Sequence, residues 1–116
     1  MLTKDQILAA LDRKTEYVAI TGLNDMVGLR AMSGLERDRY LDLVRGKETG
    51  VSYFNAALIT FTAVDGDGNT LFTPDDIDGL MRLPATLLGD LADAAARANG
   101  MGPKEPAAPA AVQATA

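Results

Sequence analysis

The residues from Asp65 to Asp76 place oxygen atoms where a calcium loop of the EF-hand type has them. Asp65, Asp67, Asn69 and Asp76 fall at the first, third, fifth and last positions of that loop, where carboxylate and amide oxygens would surround a hard cation. Several features weigh against it. Thr70 holds the sixth position, where glycine permits the sharp turn; Asp76 replaces the longer bidentate glutamate; Pro74 sits inside the loop; and the preceding segment reads as strand where a helix is required. The simpler reading is a turn followed by a capped helix. Asp75 and Asp76 could share a proton as a catalytic pair, but adjacent acids at a helix start normally answer the helix dipole. Gly46-Lys47-Glu48-Thr49 has the Gly-Lys step of a phosphate loop, yet lacks the upstream glycine, the Gly-Lys-Ser/Thr adjacency and the preceding buried strand.

The sequence has neither cysteine nor histidine. That removes the thiolate nucleophile, the imidazole base, the disulfide framework and the usual zinc ligands. No cofactor or metal is expected, and the residue set points away from an enzyme. The N-terminus lacks the apolar run of a signal peptide, and no stretch approaches the length that crosses a bilayer. A soluble cytoplasmic protein is the expectation.

Charge is distributed unevenly. Between Asp65 and Asp93 seven acids face one base, Arg82, whereas from Arg30 to Lys47 five bases accompany Glu36, Asp38 and Asp42. With a net charge of −5, the chain repels phosphate backbones, so nucleic acid is not an expected partner. Arg30, Arg37, Asp38 and Arg39 form a mixed-charge patch that is the candidate protein-contact surface; the plainer reading is solvated charge contributing little stability.

Three helix starts carry the same chemistry. Thr3 and Gln6 form a capping box, with Leu2 over Ile7 as a hydrophobic staple and Ile7, Leu8 and Leu11 on one face of the helix that follows. Ser33 and Glu36 form the second box, opening a helix to about Arg45 whose Tyr40, Leu43 and Val44 make a core stripe. Thr73, with Pro74 at the first helical position, acids in the first turn and Phe72 over Ile77, opens a short third helix. Pro84 ends it and starts a fourth, whose Leu87, Leu88, Leu91, Ala94, Ala95 and Ala98 keep helical spacing up to the Asn99-Gly100 stop.

Strand signals lie between. Tyr17 to Ile20 and Met26 to Leu29 flank Gly22-Leu23-Asn24-Asp25 as a hairpin. Ala57 to Val64 alternates and reads as a strand, although Val51 to Leu58 suits a helix equally; Thr70-Leu71-Phe72 would return beside it after the turn-forming string Asp65 to Asn69. From Met101 onward alanine and proline dominate without a period, the composition of a disordered tail. The expected fold class is α+β: a small single domain over residues 1–100, with about four short helices and one or two β-hairpins, and a disordered Ala/Pro-rich C-terminal tail over 101–116.

The order of these motifs resembles the tail assembly chaperones of long-tailed, siphovirus-type bacteriophages. Val27 to Asp38 is similar to that family's strand-Arg-x-x-Ser/Thr-x-x-Glu-Arg signature. Ala57-Leu58-Ile59, the Asp65-Gly68-Asn69 turn, Leu71-Phe72-Thr73, Asp75-Asp76-Ile77 and Leu80 resemble its second signature, and the leucine-rich helix ending at Asn99-Gly100 is similar too. The likeness covers roughly residues 3 to 100 and departs from the family ahead of Val27, where many members carry Trp or Pro-Gly. It implies a non-virion protein of the host cytoplasm that coats the tape measure protein and recruits tail tube protein, with self-association left open and no nucleic-acid or membrane partner. It also implies a longer form made by ribosomal slippage, for which Gly102-Pro103-Lys104 permits a slippery codon run. The alternative is a small acidic regulatory or calcium-binding interaction module.

Overall fold

The Thr3 hydroxyl accepts the backbone N–H of Gln6, and the Gln6 side chain accepts that of Thr3, closing the first capping box. The structure is a computed structural model, and it describes residues 1–46 and 50–101. Helix α1 (Lys4–Leu8) continues as one 3₁₀ turn, Ala9–Leu11. Its apolar side chains stay outside the core, with Leu2, Ile7, Leu8 and Leu11 all exposed.

Strands β1 (Thr15–Ala19) and β2 (Met26–Arg30) pair antiparallel from Thr15 opposite Arg30 to Ala19 opposite Met26, as the hairpin reading expects. Gly22 takes φ +99° in the connection, a conformation that costs glycine little because it has no Cβ. Strand β3 is only Ala63–Val64, on the other side of β2, with Gly28 opposite Val64. The Ser33 box opens α2 (Gly34–Val44) as expected, and Tyr40 and Val44 turn inward.

The strand expected over Ala57–Val64 is the main correction. Val51–Thr62 forms helix α3, so the helices number five among the described residues. The sequence pattern misled for a physical reason. Helix α3 packs against α2, α4 and α5, and Ala56 through Thr60 are all buried, so that stretch has no solvent face to mark a 3.6-residue period, while the exposed positions of the first turn, Val51 and Phe54, are apolar. The two threonines that made the alternation are not facing water: Thr60 is 2% exposed and Thr62 is 0% exposed. The Thr60 hydroxyl donates to the Ala56 carbonyl one turn back, at 2.8 Å. The returning strand at Thr70-Leu71-Phe72 shrinks accordingly to one bridge, Val64 with Thr70, and a bond from Leu71 N–H to the Ala63 carbonyl.

Thr73 begins a 3₁₀ turn, Pro74–Asp76, that leads into α4 (Ile77–Met81), with Ile77 and Leu80 buried. Asp76 accepts the Thr73 N–H at 2.8 Å, and the Thr73 hydroxyl accepts the Asp75 N–H at 3.3 Å. Thr73→Ala should lower stability by about 1 kcal/mol in urea denaturation; an unchanged midpoint would mean that Asp76 and Pro74 hold this start alone. Helix α5 (Ala85–Ala98) follows Pro84 and buries Leu88, Leu91, Ala92, Ala94 and Ala95. It ends as sequence expects: Gly100 at φ +70°, its N–H on the Arg97 carbonyl and that of Met101 on the Ala96 carbonyl, the paired bonds of a Schellman motif. The tail from Gly102, the recoding codons and Lys47 to Thr49 lie outside the described residues.

The core lies where α3 packs against α2, α4 and α5 and where α5 covers β2. Tyr40 of α2 meets Phe61 of α3 edge to face, ring centroids 6.5 Å apart, and Leu29 of β2, 1% exposed, belongs to the same cluster.

Candidate functional site

The candidate patch sits where β2 ends and α2 begins. Three residues connect Arg30 to Gly34, a corner whose N–H groups at Met32 and Ser33 bond to side chains and not to the backbone. Two distant side chains hold it. Arg13 donates through Nη1 to the Ala31 carbonyl at 2.8 Å and to Glu36 Oε1 at 2.6 Å. Glu36 Oε1 also accepts the Ser33 N–H at 2.9 Å, completing the second capping box. On the other side Asn99 Oδ1 accepts the Met32 N–H at 2.7 Å, while its Nδ2 donates to Thr62 Oγ1 and to the Ala95 carbonyl. The ends of α3 and α5 are thereby tied to the corner.

Sequence reasoning missed both tethers. Arg13 lies in a charged link between α1 and β1, 23 residues before Glu36, with no local signal of its partner. Asn99 was legible only as a helix stop.

Of the four candidate residues, Arg30 is half-buried at the end of β2. Its Nη1 would come within 3.4 Å of a Cβ added to Gly68, so the guanidinium lies against the Asp65–Asn69 turn. Arg37, Asp38 and Arg39 are exposed on α2. Successive helical residues point about 100° apart, so Arg37 and Arg39 point about 160° from each other and do not present one flat surface. Arg30, Glu36 and Arg13 are the electrostatically coupled group, and α2 carries Arg37 outward from it.

Burial raises the pKa of Glu36, but the Ser33 N–H, the hydrogen bond and charge of Arg13, and the charge of Arg30 together hold it below the ordinary glutamate value. A folded-state pKa depressed in this way contributes stability at neutral pH. As pH falls below the ordinary glutamate range the unfolded chain takes up the proton first, and the contribution disappears as pH passes the folded value. Denaturation midpoints should therefore drop more steeply in acid for the wild type than for Glu36→Gln. Parallel curves for the two proteins would remove Glu36 from this role.

The calcium-like loop is committed to its own turn. Asp65 Oδ1 accepts the N–H groups of Asp67 and Asn69 at 2.8 and 3.0 Å, and the backbone closes with Asp65 N–H on the Asn69 carbonyl. Among the described residues no group of three or more acids is placed to hold a metal ion, and no helix is long and apolar enough to cross a membrane.

A separate concave feature lies beside the β1–β2 hairpin. A cavity of about 480 Å³ opens between the β1–β2 hairpin and the Asp65–Phe72 segment. Its floor includes Ile59, Val64 and Leu91, all buried.

No family profile and no curated protein matches the sequence. The fold does have a solved counterpart: the structure of the bacteriophage HK97 tail assembly chaperone is similar over 83% of this chain and 97% of that one. The TM-score is 0.56 at 17% identity, which establishes a shared fold.

Proposed function

We propose that this chain is a tail assembly chaperone of a long-tailed bacteriophage, a protein without enzymatic activity. It acts in the host cytoplasm, stays out of the mature virion, binds the tape measure protein and recruits tail tube protein to it. The observation that supports this reading is agreement between two kinds of likeness. The order of sequence motifs resembles that family, and the fold is similar to the HK97 chaperone across nearly the whole of that structure. The physical task suits the chain. A tape measure is a long helical protein whose apolar stripes would aggregate if bare, and a small acidic domain bound along it keeps it dispersed.

The candidate contact surface is Arg30, Arg37, Asp38 and Arg39. Reversing charge at Arg30 and Arg37 together should weaken capture of a tape measure fragment or of tail tube protein encoded beside this gene. Because Arg30 is half-buried, the thermal midpoint of the double variant is measured alongside, and Arg37→Glu alone serves as the exposed counterpart. Capture unchanged in folded variants would reduce the patch to solvated charge. If the wild type captures neither partner, the proposed function itself is wrong.

A further inference from the structure

The cavity beside the β1–β2 hairpin is walled by side chains that a free surface ordinarily keeps covered. Tyr17 is 53% exposed, Met26 54%, Leu23 44% and Leu71 47%, and all four line the same opening. They come from two separate segments, the hairpin and the stretch after β3, so the fold gathers them into one apolar patch that neither segment has alone. Apolar patches of this kind rimmed by polar groups mark interaction sites.

The polar rim has one sign. The lining contains Asp25 and Asp65 and no basic residue. Both carboxylates are positioned by backbone N–H groups: Asp25 accepts from Met26 at 2.8 Å, and Asp65 accepts from Asp67 and Asn69. Each carboxylate is thus oriented by the segment that carries it. A volume of about 480 Å³ admits more than one large side chain, and the exposed Met26 can adapt its shape to them.

We infer that this cavity is the docking site for an amphipathic helix of a partner protein, whose large apolar side chains enter between Met26 and Leu71 while a lysine or arginine beside them meets Asp25 and Asp65. Helix-in-groove recognition uses apolar anchors about one turn apart, and the acidic rim selects helices with basic flanks over acidic ones. The inference deepens the proposed function, resting on the reading that the chain binds an apolar helical protein, and it assigns the contact with that protein to the cavity, leaving the arginine patch at the β2–α2 corner as the candidate contact for tail tube protein.

The test uses the full chain and a fluorescent model helix with leucines along one face and lysines on the other, with a leucine/glutamate helix for comparison. The leucine/lysine helix should bind, and Met26→Lys should weaken it about tenfold or more, the scale of a lost anchor. Leu35→Lys is the control, because Leu35 is 61% exposed on α2 and its substitution changes net charge identically; it should leave binding nearly intact. Equal losses in the two variants would mean that net charge alone attracts the peptide, and would overturn the site. So would equal affinity for the leucine/glutamate helix. Sedimentation should be the same for wild type and Met26→Lys; an oligomer that Met26→Lys dissociates would give the cavity to a second copy of the chain instead. Capture of a tape measure fragment separates the two levels: capture by wild type that is insensitive to Met26→Lys rejects the cavity alone, whereas no capture despite model-helix binding rejects the proposed function alone.

Discussion

Asn99→Leu should be among the most destabilising single substitutions in this chain. The Asn99 amide is bonded on both sides, with Oδ1 accepting from Met32 and Nδ2 donating to Thr62 and to the Ala95 carbonyl. Its orientation follows from chemistry, since a backbone N–H can only donate and a carbonyl can only accept. Leucine keeps much of the volume and removes every bond, leaving the Met32 N–H without its acceptor and the Thr62 hydroxyl, at 0% exposure, without its donor. The buried Thr62 hydroxyl deprived of its partner costs about 1–3 kcal/mol and the bond to the half-buried Met32 N–H about 0.5–1.5 kcal/mol, so a combined loss of about 2–4 kcal/mol is expected in urea denaturation. Asn99→Asp keeps the acceptor for Met32 but sets a carboxylate against the Ala95 carbonyl and the negative end of α5, and should also destabilise. A loss below about 1 kcal/mol for leucine, the scale of an ordinary solvent-compensated bond, would show that the corner is held by other contacts.

Gly28→Ala should follow closely. A Cβ at this position would lie 2.9 Å from the Val64 carbonyl oxygen and 3.3 Å from both Thr15 Cγ2 and Tyr17 Cε1. The side chains can rotate away, but the carbonyl belongs to β3, paired with β2 at this register position. Overpacking of this kind costs about 1–3 kcal/mol. Loss of backbone freedom in the unfolded chain acts in the opposite direction, by about 0.4–1 kcal/mol, and is the smaller effect. Truncating the movable neighbour distinguishes the causes: Gly28→Ala with Tyr17→Ala should remain destabilised relative to Tyr17→Ala alone, because the carbonyl is still in place. Full recovery would put the conflict at the tyrosine ring, and a gain in stability from Gly28→Ala would mean that β3 moves aside freely.

Legibility in the sequence followed the range of the interaction. Thr3 with Gln6, Ser33 with Glu36 and Thr73 with Asp76 all close through bonds spanning three residues, so residue spacing announces them. The β1–β2 hairpin and the Gly100 stop are equally local. The arginine patch was legible as composition, but its geometry was not: the spacing of Arg37, Asp38 and Arg39 says nothing about Arg30 lying against Gly68. The apolar cavity was hidden more completely, because its walls come from segments more than forty residues apart, Met26 and Leu71.

The sequence by itself determined where three capped helix starts, one hairpin and the final helix stop would fall, because caps, turns and left-handed glycines are decided by atoms within a few bonds of one another. Only the tertiary structure decided that Val51–Thr62 is a helix, since burial on nearly every side erases the polarity period and lets two threonines satisfy their hydroxyls internally. It alone decided that Arg13 and Asn99 would hold the corner between β2 and α2. Their partners lie as far as 23 and 67 residues away in the chain, and a hydrogen bond over that distance exists only after the helices and the sheet have packed.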